Sequence, residues 1–153
     1  MILVSGCLAG QKCRYDGGSK TVDGIKEMVE KGEAIPVCPE QLGGLATPRP
    51  PVEIQSGDGN AVLDGKAIAK NSEGRDVTQN LIRGASDVLV IAKDNNVTKA
   101  ILKTKSAACG CGKIYDGTFK GRLKDGDGVA AALLKRHVIK VITQDDCLEG
   151  KGG

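Results

Sequence analysis

The segment IPVCPEQLGGLATPRPP, residues 35–51, is the stretch from which the fold and the candidate site can be worked out. It opens as a short apolar strand that ends at Cys38, and a carboxylate, Glu40, follows two residues later. After them, glycines that permit positive φ and prolines that remove donors predict no regular structure. A rigid loop of this length is usually functional, so we interpret it as the wall of an active site. The alternative is a structural loop around one buried cysteine.

Length and composition limit the possible classes of protein. A chain of 153 residues, with 40% hydrophobic and 27% charged residues, is typical of one soluble globular domain, covering residues 1–153. Aromatic residues make up only 2%, whereas binders of single-stranded nucleic acid need aromatic stacking platforms. A net charge of +3 is small for a protein that binds duplexes. We therefore expect a small-molecule partner and no macromolecular nucleic acid.

The sequence also bears on location. No apolar run reaches the roughly 18 residues of a membrane span. The stretch VSGC at residues 4–7 resembles the cleavage box of a lipoprotein signal, but neither a basic region nor a full apolar region precedes it. We therefore expect a cytoplasmic protein without membrane attachment, whose six cysteines stay reduced.

Apolar runs and helical periodicity alternate along the chain. Strands are predicted at residues 2–6, 34–37, 100–102 and 140–142, and helices at residues 23–31, 76–95 and 129–137. Asp23 is the predicted cap of the first helix, and Asp76 with Gln79 has capping-box spacing for the second. Turn signals around short β segments, such as residues 66–70, predict a small β-hairpin excursion. This order predicts an α/β fold with a mostly parallel sheet and helices on both faces, which is Rossmann-like.

Three cysteines stand where such a sheet binds ligands, at the carboxyl ends of its strands. Cys7 and Cys38 follow the first two strands, and Cys109 lies in the loop after the third. We therefore expect these thiols to converge on a metal or cluster that the fold assembles. The chain has a single histidine and no C-x-x-C pair, which argues against a Cys₂His₂ zinc site.

The chemistry of three thiolates favours a four-iron cluster that leaves one iron open. An open iron is a Lewis acid for soft ligands such as sulfur. Glu40 is placed to act beside it as a general acid or base, and Ser106 precedes Cys109 by three residues and could orient a proton or a water.

Three separate segments together resemble the DUF523 family, which includes thiouracil desulfidases. They read SGCLAGQKCRYDGG at residues 5–18, VCPEQLGGLATPRPP at residues 37–51 and CGxGxIYDG at residues 109–117. The resemblance covers nearly the whole chain. It implies a [4Fe-4S] enzyme, with one iron not ligated by protein, that converts C=S to C=O in thiolated pyrimidines. Sulfide is released without net redox, and the implied substrates are 2-thiouracil or 4-thiouridine 5′-monophosphate from tRNA turnover.

The resemblance also implies roles for particular residues. It places the cluster ligands at Cys7, Cys38 and Cys109, and the catalytic carboxylate and serine at Glu40 and Ser106. Members of the family often have valine where this chain has Cys13, so Cys13 stays outside the implied ligand set. The family's Ser-Pro-Ser-Cys-Gly motif reads Ser-Ala-Ala-Cys-Gly at residues 106–110.

Polar residues in the same loops are candidates for substrate binding. They are Arg14, Tyr15, Asp16, Arg49 and Lys105. A guanidinium matches a phosphate or carboxylate, and the alternative for both arginines is a salt bridge to Asp16 or Glu53. The glycines of residues 126–128 precede a helix whose N–H groups could bind phosphate, although an ordinary helix cap has the same sequence.

Two rival functions use the same thiols. One is a zinc- or cluster-binding module in which Cys13 or Cys111 closes the site, and the other is an electron carrier with a four-thiolate cluster. Glu40 in its Cys-Pro-Glu setting argues against both, because neither function requires that carboxylate.

Overall fold

The computed structural model describes residues 1–145 and has a parallel sheet at its centre. The strands are β1 (Ile2–Ser5), β2 (Ala34–Val37), β3 (Val52–Gln55), β4 (Ile68–Asn71), β5 (Lys99–Leu102), β6 (Lys113–Tyr115), β7 (Leu123–Asp125) and β8 (Lys140–Thr143). The α-helices are α1 (Asp23–Glu30), α2 (Pro39–Leu42), α3 (Gly59–Leu63), α4 (Thr78–Asp94) and α5 (Val129–Arg136), and a short 3₁₀ helix spans Gly6–Ala9. Within residues 1–145, no helix has the length and apolar character needed to cross a membrane.

The central sheet has the strand order β2-β1-β5-β8, and all its pairs are parallel. Successive strand residues point to opposite faces, so Leu3 packs in the core cluster that holds helices α4 and α5, while Val4 packs in the cluster that holds α1. Because both faces are covered, the strands carry continuous apolar runs, such as residues 2–4 and 100–102, rather than an alternation of apolar and polar residues. The predicted α/β fold, with a parallel sheet and helices on both of its faces, is confirmed.

The order of the strands creates a crevice. The chain leaves β1 for β2 on one side and later returns to β5 on the other side of β1. Where strand order reverses in this way, the loops after the two central strands diverge and ligands bind between them. The loops that follow β1, β2 and β5 therefore meet at one edge of the sheet.

Two predicted helix caps differ from the structure. Helix α1 begins at Asp23 itself, after the extended residue Val22, so the Asp23 side chain does not cap it. Helix α4 begins at Thr78 rather than Asp76. The Asp76 carboxylate accepts hydrogen bonds from the Thr78 N–H at 2.9 Å and from its hydroxyl at 2.6 Å, which stops the helix from starting earlier.

The predicted hairpin excursion is confirmed, but the segment between its strands, predicted to form turns, contains a short helix. Strands β3 and β4 pair antiparallel, and helix α3 lies between them. The Asp58 carboxylate caps α3 by accepting from the Ala61 N–H at 3.0 Å. A second hairpin, β6 and β7, had no predicted counterpart.

The prediction of no regular structure after Cys38 and Glu40 is wrong for one helical turn, α2. Pro39 occupies its first position, where a missing N–H group leaves no hydrogen bond unmade. Helix α2 rests directly on α4, since a Cβ added at Gly84 would lie 1.9 Å from the Pro39 carbonyl oxygen. This close packing against α4 fixes the position of α2, which carries Glu40 and follows directly after Cys38.

Candidate active site

The loops at the sheet edge enclose a cavity of about 650 Å³. Nine of the ten predicted site residues line it, namely Cys7, Arg14, Tyr15, Cys38, Glu40, Arg49, Lys105, Ser106 and Cys109. Asp16 does not. Its carboxylate accepts from the Gly18 N–H at 2.8 Å and lies 3.4 Å from Arg14 Nη1, so it holds the turn instead of facing the cavity. The wall also includes Cys13, Lys20 and Lys103, which were not among the predicted site residues.

Four thiols share this wall. Cys7, Cys13 and Cys109 are buried, at 6%, 4% and 5% exposure. Cys38 Sγ donates to the Cys13 carbonyl oxygen at 3.6 Å, and Cys38 and Cys7 both shift the pKa of the Cys13 thiol. Sequence reasoning left Cys13 out. Its short spacing from Cys7, across one glycine-containing turn, was the signal that could have included it.

The surroundings of the thiols favour their protonated forms. Burial raises the pKa of Cys109 to about 12. The hydrogen bond with Cys38 lowers the pKa of Cys13, but contact with Cys7 and burial outweigh it and raise that pKa to about 11. The hydrogen bond with Cys13, together with burial, raises the pKa of Cys38. A metal group bound here must therefore displace protons from these cysteines.

The thiols of the cavity wall fit an iron–sulfur cluster. Among residues 1–145, no three His, Cys, Asp or Glu side chains are grouped closely enough to hold one ion, as a closed zinc site requires. A cluster instead takes separate thiolates on separate irons, so its ligands can be spread over a cavity wall. The thiols are also soft donors, which suit iron–sulfur chemistry.

The loop with Ser106 and Cys109 is a tight turn. The Ser106 hydroxyl oxygen accepts from the N–H groups of Ala108 at 3.0 Å and Cys109 at 3.1 Å. These two bonds use the oxygen as an acceptor and leave the O–H group to donate. Ser106 therefore holds the backbone at Cys109 in place and can still orient a group in the cavity.

The start of helix α5 anchors this turn. The Val129 N–H donates to the Ala107 carbonyl at 2.8 Å, and the Ala130 N–H donates to the Ala108 carbonyl at 2.9 Å. A Cβ added at Gly128 would lie 2.6 Å from the Ala108 carbonyl oxygen, so glycine is needed for the approach. The N–H groups considered for phosphate are thus occupied in holding the loop of Cys109.

Glu40 and Arg49 form a largely buried ion pair. Their side chains are 18% and 4% exposed, and Arg49 Nε donates to Glu40 Oε2 at 3.1 Å. Of the alternative salt bridges predicted for the two arginines, that of Arg14 to Asp16 is confirmed, at 3.4 Å, whereas Arg49 pairs with neither Asp16 nor Glu53. Glu53 instead accepts from the backbone N–H groups of Gly117 at 2.9 Å and Phe119 at 3.1 Å.

Cations dominate another part of the cavity wall. Lys20, Lys103 and Lys105 line it together with Arg14, whose guanidinium lies 5.6 Å from the ring centre of Tyr15. Burial lowers the pKa of Lys103, and its Nζ donates to Thr104 Oγ1 at 3.1 Å. Within the described part of the chain, none of these three lysines makes a salt bridge to a carboxylate, so this region suits an anionic group.

Comparisons with known proteins agree with this geometry. The model of the 2-thiouracil desulfurase family matches residues 2–146. The chain is 45% identical over 146 residues to the uncharacterised protein YbbK of Bacillus subtilis (strain 168), covering 95% of this chain and 97% of YbbK. It is also similar to the solved structure of the [4Fe-4S]-dependent thiouracil desulfidase TudS (DUF523Vcz), with a TM-score of 0.85 and 39% identity over 97% of this chain and 93% of that one. These matches confirm the resemblance found in the sequence, and the chain belongs to the 2-thiouracil desulfurase family.

Proposed function

We propose that this protein is a [4Fe-4S]-dependent desulfidase that hydrolyses C=S to C=O in a thiolated pyrimidine and releases sulfide without net redox. The observation that carries the proposal is one cavity with three kinds of group on its wall. It brings together buried thiols, the Glu40 carboxylate paired with Arg49, and lysines that make no salt bridge to a carboxylate within residues 1–145. Membership of the family and the similarity to TudS support the same reading.

Cys7, Cys38 and Cys109 are the residues that would hold the cluster, with one iron left without a permanent protein ligand. When bound, the cluster supplies a soft Lewis acid that draws charge from a thiocarbonyl sulfur and makes the ring carbon more electrophilic. Everything else must come from side chains on the cavity wall.

Glu40 activates the attacking water in this proposal. Oε2 accepts the bond from Arg49, while the described residues place no hydrogen-bond partner on Oε1, which is left to take a proton from water. A positioned base of this kind contributes about 10²–10⁴-fold to rate. The O–H group of Ser106 orients the heterocycle or relays the proton, because its oxygen is already held by two backbone N–H groups.

The cations favour a substrate that carries a phosphate. Of the two implied substrates, 4-thiouridine 5′-monophosphate has an anionic group for Arg14, Lys103 and Lys105, whereas 2-thiouracil has none. The cavity volume of about 650 Å³ lies in the range of small-molecule sites. Tyr15, at 42% exposure, offers a ring face for the pyrimidine.

The direct test is sulfide release by the anaerobically prepared protein. We expect release from 4-thiouridine 5′-monophosphate and 2-thiouracil, with the oxygen analogue formed in equal amount. Chelator-treated protein is the control and should be inactive until iron and sulfide are restored. Turnover by metal-free protein, or none by protein with a full cluster, would overturn the proposal. We also expect a cytoplasmic enzyme, since the thiols must stay reduced.

An electron carrier is the second candidate, because Cys13 provides the fourth thiol that such a cluster uses. Reversible reduction of the cluster without any sulfide release would favour it.

A further inference from the structure

The guanidinium of Arg49 is used almost entirely inside the protein. It makes four hydrogen bonds, to Glu40 Oε2 at 3.1 Å, Thr47 Oγ1 at 2.9 Å, the Ala46 carbonyl at 3.2 Å and the Cys13 carbonyl at 2.8 Å. A side chain that binds a substrate phosphate needs a free pair of donors facing the ligand. The donors of Arg49 instead bond the Thr47 hydroxyl, two backbone carbonyls and the Glu40 carboxylate.

These bonds tie two loops together. Arg49 Nε reaches Glu40 after strand β2, while Nη2 reaches the carbonyl of Cys13 in the loop after β1. The backbone N–H of Arg49 also donates to the Tyr15 carbonyl at 2.7 Å. Because the guanidinium is planar and its donors have fixed directions, it defines the carboxylate's orientation as well as its distance.

Glu40 has little else to hold it. It lies on the single turn of α2, and Arg49 is the one hydrogen-bond partner that the described residues give its side chain. We propose that Arg49 is a positioning residue, which fixes the Glu40 carboxylate for water activation and does not bind the substrate phosphate. This inference rests on the proposed function, and it leaves the phosphate to Arg14 and the lysines of the cavity wall.

The experiment compares Arg49→Met and Arg49→Lys with wild-type enzyme, each reconstituted anaerobically and matched for iron, sulfide and visible spectrum. We expect Arg49→Met to lower kcat about 10²-fold, the scale of a misplaced catalytic group, with KM for 4-thiouridine 5′-monophosphate within about threefold. Arg49→Lys should also be slow, because one ammonium cannot bond Glu40 and the Cys13 carbonyl together. The control, Arg136→Met, removes an arginine paired with Asp64 outside the cavity lining and should keep full activity.

The two roles for Arg49 predict different patterns. Loss of a phosphate ligand would raise KM for the nucleotide and leave 2-thiouracil turnover unchanged. Loss of positioning lowers kcat for both substrates alike. The nucleotide-only pattern would overturn the inference.

A double variant isolates the action through Glu40. If Arg49 acts through that carboxylate, adding Arg49→Met to Glu40→Gln should lower kcat by less than about twofold further, since residues of one unit are not additive. A further loss near 10²-fold, equal to the effect in wild type, would overturn the inference while the wild-type activity upholds the proposed function. No sulfide release by wild type with a full cluster would overturn both.

Discussion

Replacing Glu40 with glutamine separates the chemistry from the assembly of the site. The amide oxygen of Glu40→Gln can still accept the 3.1 Å bond from Arg49 Nε, but the charge and the basicity are gone. Turnover should fall about 10²–10⁴-fold, the usual contribution of a general base, which is about 2.7–5.5 kcal/mol in activation free energy. Cys7, Cys38 and Cys109 are unchanged, so iron content and KM should stay near wild type.

The same substitution has a cost in stability that must be measured beside the kinetics. Arg49 is only 4% exposed, so its charge is left without a counter-charge in a largely buried site. Removing one partner of a buried pair costs about 3–5 kcal/mol, and the retained hydrogen bond should keep the loss at or below the low end. Urea unfolding of the variant checks this value.

The assay is anaerobic sulfide release from 4-thiouridine 5′-monophosphate, with the visible spectrum recorded in parallel. Glu30→Gln, at an exposed position at the end of α1, is the matched control and should be fully active. Near-wild-type turnover by Glu40→Gln with an intact cluster would refute the reasoning. The base would then have to be sought in residues 103–106.

Four further substitutions test other parts of the structure. Cys109→Ala should abolish the stable cluster and Cys13→Ala should retain it, as measured by iron content; equal loss of iron from both would show that the ligand set is wrong. Gly84→Ala should lower the free energy of unfolding by about 1–3 kcal/mol, because the new Cβ would lie 1.9 Å from the Pro39 carbonyl oxygen. An unchanged free energy of unfolding in urea would argue against the close packing of α2 on α4. Lys103→Gln should raise KM for 4-thiouridine 5′-monophosphate and leave that for 2-thiouracil unchanged, and an equal rise for both would count against a phosphate contact.

The central sheet could be predicted because its strands leave a clear pattern. Strands covered on both faces carry continuous apolar runs, as at residues 2–4 and 100–102, and the helices between them keep a regular apolar stripe. Helix α2 could not be predicted in this way. Its four residues carry no period, and the turn is held by packing on α4 through Gly84 rather than by helix propensity.

The residues of the site also include some whose placement could be predicted and some whose placement could not. The convergence of Cys7, Cys38 and Cys109 on one cavity follows from topology, since carboxyl ends of parallel strands meet at one edge. The place of Cys13 in the cavity wall and the pairing of Arg49 with Glu40 depend on loop conformation. The sequence of a loop carries no periodic pattern from which its conformation could be predicted. Cys147, also expected to be dispensable for the cluster, lies outside the described residues.

The proposed reaction requires that these thiols hold an iron–sulfur cluster. The most direct measurement is the iron and acid-labile sulfide content of anaerobically purified wild-type protein, together with its visible spectrum. We expect a brown protein with broad visible absorption and about four irons and four sulfides per chain. A colourless protein that contains zinc and no labile sulfide would contradict it.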